Sequence, residues 1–187
     1  MSQRSTQFNR TTVIDYDTVI SKDVIVHENE CLIIRGSNTK VVFGGEKRVR
    51  FVNAGTVVID AEIILKNCTF FQNSQMLKLT GLMQIWEDSA LILGKSAEAF
   101  MENRGVIVLK NHAKIQCASE FNTAFLNAGI IQMMQDANVV IGKRVGCSFI
   151  NDGIIQKQDR AVLEIGSSTA AVFQNRGMVE KLPGSDK

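Results

Sequence analysis

Phe125-Leu126-Asn127-Ala128-Gly129-Ile130-Ile131 returns 24 residues later as Phe149-Ile150-Asn151-Asp152-Gly153-Ile154-Ile155, and again as Phe173-Gln174-Asn175-Arg176-Gly177-Met178-Val179. The same cadence precedes it at Met101, Asn103 and Gly105, so Gly81, Gly105, Gly129, Gly153 and Gly177 fall at one interval. Phe51, Asn53 and Gly55 repeat the triplet one coil earlier, offset by 26, and the coil ending at Gly81 carries Leu77 and Leu79 instead. Matched columns at a fixed step mark an internal repeat, and periods of roughly 20–50 residues belong to solenoids, propellers and arrays.

The unit opening at Gly129 holds three β-like runs, Ile130–Met134, Ala137–Ile141 and Ser148–Asn151. They are short, rich in β-branched residues and broken by Gly and polar pairs, which favours strands over helices. One such unit cannot bury its own apolar face. Coils stacked about 4.8 Å apart pair each strand with its equivalents above and below. The expected fold is all-β: a single-stranded right-handed parallel β-helix, about 24 residues per coil, with three short strands per coil. Its hand follows from the general right-handedness of parallel crossovers. Residues 1–11 read as a flexible N-terminal tail, 12–182 as the solenoid and 183–187 as a C-terminal tail. Within the solenoid, 12–50 are less regular starting coils, with runs at Val13–Ile14, Val24–Val26, Leu32–Ile34 and Val41–Phe43, and 51–182 are regular.

Side chains alternate along a strand, so the columns assign faces. Met83, Ile107, Ile131 and Ile155 form one inward column; Leu91, Ile115, Val139 and Leu163 a second; Leu93, Cys117, Ile141 and Ile165 a third. Ser89, Ala113, Ala137 and Ala161 are small where a corner is tight, and Gly94, Ala118, Gly142 and Gly166 mark another bend. Phe51, Phe125, Phe149 and Phe173 share parity with Asn53, Asn103, Asn127, Asn151 and Asn175, so both sets should point inward as a structural ladder. Stacked rings bury large area, and stacked amides satisfy one another as in cross-β stacks.

The outward positions after each Gly are unexpectedly apolar: Leu82, Val106, Ile130, Ile154 and Met178 form one column. Trp86 and Met134 stand at the turn end, with Gln84, Val108, Gln132 and Gln156 between. A contiguous apolar stripe marks a partner interface unless the chain's own tail covers it. These residues are assigned to binding and self-association. The open strand edges at a solenoid's ends need capping or pairing. The partial coil Gly177–Leu182, followed by Pro183-Gly184, either packs over the end or lets molecules stack end to end.

The segment from Asp23 through Glu30-Cys31-Leu32-Ile33-Ile34 to Val41-Val42-Phe43-Gly44-Gly45 resembles the opening coils of right-handed parallel β-helix proteins. The cadence Asn127-Ala128-Gly129-Ile130-Ile131 is similar to repeats of filamentous haemagglutinin and autotransporter adhesins. Bactofilins, cytoplasmic β-helix polymers with shorter coils, are similar in habit. The likeness spans roughly residues 12–180. It implies a β-helix that polymerises or binds protein or glycan.

The remaining chemistry is sparse. Lys+Arg number 21 and Asp+Glu 19, a balance that argues against nucleic acid, and the basic run Lys47, Arg48, Arg50 beside Glu46 reads as a solvated turn. No apolar stretch nears the ~20 residues of a membrane span. Met1–Arg10 lack the apolar core of a signal peptide. An intracellular, cytoplasmic protein with Cys31, Cys68, Cys117 and Cys147 reduced is therefore expected. No CxxC pair occurs and neither His27 nor His112 falls at ligand spacing, so no metal or cofactor is expected. Asp88, His112, Asp136 and Arg160 stack at 24-residue steps, and the first three could form a proton-transfer or metal cluster, but alternating charge at a bend reads more simply as a turn. No catalytic residue is assigned. The first expectation is a non-enzymatic structural protein forming a homo-oligomer or polymer. The alternatives are an adhesin, phage-tail or effector-type module that binds another protein or a glycan, and a carbohydrate-active lyase or hydrolase.

Overall fold

Every Gly or polar break between apolar runs becomes a corner in the computed structural model, which describes residues 10–95, 97–117, 122–142, 147–166 and 172–182. Among them there is no helix, and every strand pairing is parallel. The chain is a parallel β-solenoid whose regular coils each carry three strands.

On the first face, Leu82–Ile85, Val106–Leu109, Ile130–Met133, Ile154–Lys157 and Met178–Lys181 lie one above another in register. The second face is a seven-stranded sheet running from Val24–Val26 through Arg50–Asn53, Phe70–Asn73, Ala90–Leu93, Lys114–Cys117 and Asn138–Ile141 to Val162–Ile165. The third face stacks Met76–Leu79, Ala99–Asn103, Thr123–Asn127, Cys147–Asn151 and Val172–Asn175. Two long strands, Glu30–Phe43 and Thr56–Leu65, run around the corner between the third and first faces and join them into one 14-stranded sheet.

The 24-residue step holds from Met76 onward: Met76 stands level with Phe100, Leu82 with Val106 and Ala90 with Lys114. Before that the step varies: Val24 and Phe51 are level 27 residues apart and Cys31 and Thr56 25 apart, and then the coils shorten. Arg50, Phe70 and Ala90 are level at 20-residue steps, as are Thr56 and Met76. The missing four residues lie at the corner between second and third faces. Asn73 and Leu93 are level, yet Met76 follows Asn73 by three residues while its counterpart Phe100 follows Leu93 by seven.

This corrects the offset of 26. Phe51 and Asn53 do not precede Phe125 and Asn127 in their columns. They lie on the second face, level with Phe71 and Asn73, then Leu91 and Leu93. The line of the Asn ladder continues downward through Leu79 and Ile59. The motif misled because its local chemistry is the same at either corner. Gly55 N donates to Asn53 Oδ1 at 3.0 Å, as Gly105 N does to Asn103 Oδ1 at 3.2 Å. Asn-x-Gly specifies a sharp corner, not which corner.

Two further boundaries differ. Leu32–Ile34 and Val41–Phe43 belong to one strand, bent at Gly36 with φ 125°. Arg10 and Thr11, expected in the tail, pair in strand Arg10–Ile14 with Glu30 and Cys31. Residues 1–9 and 183–187 of the expected tails, and Ala118 at the expected bend, lie outside the described residues.

The core follows the inward columns. Met83, Ile107, Ile131, Ile155, Leu91, Ile115 and Val139 are buried, as are Ser89, Ala113, Ala137 and Ala161 at the tight corner. Gly94 and Gly142 adopt φ of 71° and 55° at the other bend, a region open to Gly without a Cβ penalty. Phe125 and Phe149 are buried with centroids 5.0 Å apart, and Phe149 stacks on Phe173 at 5.6 Å. Phe51 stacks on Phe71 at 4.1 Å in its own column. Asn103, Asn127 and Asn151 are fully buried, and each Nδ2 donates to the Oδ1 of the next, at 2.7, 2.6 and 2.7 Å, the last being Asn175. The repeating Gly is needed for closeness. A Cβ on Gly129 would sit 2.1 Å from the Gly105 carbonyl oxygen, and one on Gly153 2.0 Å from that of Gly129.

Candidate interaction surfaces

Because strand side chains alternate, the first face presents two outer lines. One runs Lys40, Glu62, Leu82, Val106, Ile130, Ile154, Met178. The other runs Val19, Val42, Ile64, Gln84, Val108, Gln132, Gln156, Glu180. From Leu82 and Gln84 onward the residues of both lines stack in the columns expected from the sequence. From Leu82 to Met178 neither line carries a charge until Glu180. Leu82, Val106, Ile130 and Ile154 are half-buried between their column neighbours, while Met178 is exposed at the last coil. The stripe begins where Lys40 pairs with Glu62 at 3.3 Å.

The glutamines between are internally satisfied. Gln132 Nε2 donates to Gln156 Oε1 at 2.8 Å, and Gln156 Nε2 donates to Glu180 Oε1 at 2.6 Å. Gln84 Nε2 donates to Glu62 Oε1 at 2.8 Å, and its Oε1 accepts the Trp86 indole N–H at 3.3 Å. Trp86 is 40% exposed, with the Lys66 ammonium 5.8 Å from its ring centroid. Met134 is half-buried at the equivalent corner two coils on. Amides that bond along the solenoid need little from water, which leaves the face drier than its composition suggests.

Sequence reasoning missed Val19, Val42 and Ile64 on this face, because the steps along that line are 23, 22 and 20 residues there and not 24. It also passed over the third face, whose outer lines include Met76, Phe100 and Ala124, and Val58, Leu126 and Ile150. Lys78 and Glu102 interrupt that face with charge. A cavity of about 430 Å³ opens on it beside the second–third corner, floored by Met76, Phe100, Ala124 and Ser148. The columns through Phe100 and Leu126 were legible at 24-residue spacing.

The polar column at the first–second corner is turn geometry. Asp88, His112 and Asp136 have φ of 58°, 60° and 61°, a region in which Asn, Asp and His are enriched among non-Gly residues. Arg160 Nη2 donates to Asp136 Oδ2 at 2.7 Å. Among the described residues no group of three or more His, Cys, Asp or Glu could hold a metal ion, and no helix is long and apolar enough to cross a membrane.

The ends differ from the middle. In the last coil Phe173 and Val179, from inward columns, are 37% and 43% exposed. A third inward line changes character: Ile85, Leu109 and Met133 are followed by Lys157 and Lys181. Lys157 Nζ donates to the Ala161 carbonyl at 2.9 Å, and Lys181 pairs with Asp159 at 2.7 Å. The last coil is therefore polar along one line and open apolar along others. At the other end Ile14, Ile20 and Val24 are half-buried against the core.

All four cysteines are free, Cys68 exposed and the others buried. Hydrogen bonding to Cys147, then burial, pushes the Cys117 thiol well up, while the same bond lowers that of Cys147.

Comparison with protein-family models, curated proteins and solved structures finds no match to the chain. The parallel β-helix architecture is seen directly, and the narrower likeness to haemagglutinin, adhesin or bactofilin repeats gains no support beyond the coil itself.

Proposed function

We propose that the chain is a non-enzymatic structural protein that associates with copies of itself through its first face, aided by its ends. The observation that carries this reading is the absence of charge along both outer lines of that face from Leu82 to Met178, while the second and third faces carry Lys114 and Glu164, and Lys78 and Glu102, at equivalent outer positions. Four free thiols support an intracellular, reducing setting.

The size of the stripe decides what kind of contact it makes. Five strands about 4.8 Å apart, each about 13 Å long, give a footprint of roughly 300 Å². A stable interface takes about 800 Å² from each partner. The face alone supports weak, concentration-dependent pairing. Firm assembly needs that contact repeated along a polymer, or combined with the edges at Val162–Ile165, Val172–Asn175 and Met178–Lys181, which have no further strand partner among the described residues.

Light scattering across a concentration series, with negative-stain microscopy, tests this. The wild-type mass should rise with concentration, and Ile130→Lys with Ile154→Lys should flatten the rise while the circular dichroism spectrum stays unchanged. A wild type that remains a monodisperse monomer to high concentration sinks the proposal.

A further inference from the structure

The basic run that reads as a solvated turn in the sequence becomes half of a groove in the fold. Arg48 precedes strand Arg50–Asn53, and Arg50 stands level with Phe70 on the outside of the second face. One coil further, Gln72 stands level with Ile92, and Lys95 follows at the next bend. Arg48, Arg50, Phe70, Gln72, Ile92 and Lys95 line a cavity of about 380 Å³. Three cations from two segments thus converge, and no carboxylate is among the described residues that line the space.

These cations are also unspent. Among the described residues, Arg48, Arg50 and Lys95 take part in no ion pair. The carboxylate nearest in register is that of Asp23, whose Oδ1 accepts the Arg50 backbone N–H at 2.8 Å. Arg48 lies over the Phe70 ring with its guanidinium carbon 4.2 Å from the centroid. A guanidinium held against a ring is partly fixed in place, and its fork of N–H donors matches an oxyanion. Gln72 and Ile92 complete the lining.

We propose that this groove binds a multiply charged oxyanion, of the phosphate-ester or polycarboxylate class, held by Arg48, Arg50 and Lys95 with Phe70 as the positioning residue for Arg48. It lies on a different face from the apolar stripe, so occupancy and self-association are separable.

The test is calorimetric titration of the full chain with inorganic pyrophosphate, and separately with citrate, at about 50 mM salt, where exposed charges are weakly screened. Saturable binding of one equivalent is expected, weakening as salt rises. Arg50→Ala and Lys95→Ala should each weaken it at least tenfold, and Phe70→Leu several-fold. Lys47→Ala, adjacent in sequence but outside the groove, should leave it unchanged. Preference for pyrophosphate identifies a phosphate ligand, and preference for citrate a polycarboxylate. Absence of saturable binding of either at millimolar concentration, or binding that survives both Arg50→Ala and Lys95→Ala, overturns the assignment.

Discussion

Replacing Asn127 with alanine removes the middle rung of the buried amide ladder. Asn127 Oδ1 accepts from Asn103 at 2.7 Å and its Nδ2 donates to Asn151 Oδ1 at 2.6 Å. All three side chains are fully buried. Alanine leaves an amide N–H and an amide oxygen facing a void. Each buried polar group left without a partner costs about 1–3 kcal/mol. Asn103 Nδ2 keeps a long contact to the Ile130 carbonyl at 3.4 Å, so its share falls at the low end. The sum is about 3–4 kcal/mol with the lost packing included. For a chain of this size that lowers Tm by roughly 6–15 °C. Asn175→Ala is the comparison, because Asn175 is exposed and only the Asn151 amide loses an acceptor, keeping contacts of 3.4 Å to the Gly153 and Met178 carbonyls, so it should cost about 1 kcal/mol. Urea unfolding and thermal melting, both followed by circular dichroism, measure the pair. Equal effects of the two variants, or a loss below about 1 kcal/mol at Asn127, would refute the buried-ladder argument.

Gly129→Ala should destabilise by several kcal/mol in the same melts, since its Cβ meets the Gly105 carbonyl at 2.1 Å in a stack with no room to yield; a neutral result would mean the coils are not so close. His112→Gly should be neutral or raise stability by up to about 1 kcal/mol, because it relieves a left-handed residue at φ 60°, and a marked loss would show that the imidazole does more than fill a turn. Under native conditions a thiol reagent should label Cys68 promptly, and Cys31, Cys117 and Cys147 only on unfolding; fast labelling of two or more sites contradicts the burial.

Much of the architecture was legible because the later coils are near copies of one another. The expected runs Ile130–Met134, Ala137–Ile141 and Ser148–Asn151 match the observed strands Ile130–Met133, Asn138–Ile141 and Cys147–Asn151 within a residue. Inward and outward assignments of Ile131, Phe125 and Ile130 followed from parity alone. The earlier coils resisted for a physical reason. With the second–third corner four residues shorter, Asn53 and Asn73 form their own two-rung ladder there, the Asn53 amide donating to Asn73 Oδ1 at 2.6 Å. The sharp-corner motif thus changes corners where the coil length changes, and a single 24-residue ruler joins unrelated columns. The long strands Glu30–Phe43 and Thr56–Leu65 were hidden similarly, since the first turns its corner at Gly36 with a register shift and the second at Ala61, without the Asn-x-Gly that marks it later. The basic groove was invisible because Lys95 joins Arg48 and Arg50 only through two coils of stacking.

Vertical alignment of the columns underlies the ladder, the apolar stripe and the groove, and pulsed electron–electron resonance reads it directly. On the second face Ile25, Val52, Gln72, Ile92, Gln116, Val140 and Glu164 stand in one outer line. Spin labels are placed at Ile25 and Gln116, and in a second sample at Ile25 and Glu164, with Cys68 replaced by serine. Four steps of stacking predict a separation of about 19 Å and six steps about 29 Å. An increase of about 10 Å between the samples is the result expected of a stacked solenoid. Separations that do not grow with coil number, or that grow by a different amount, would contradict it.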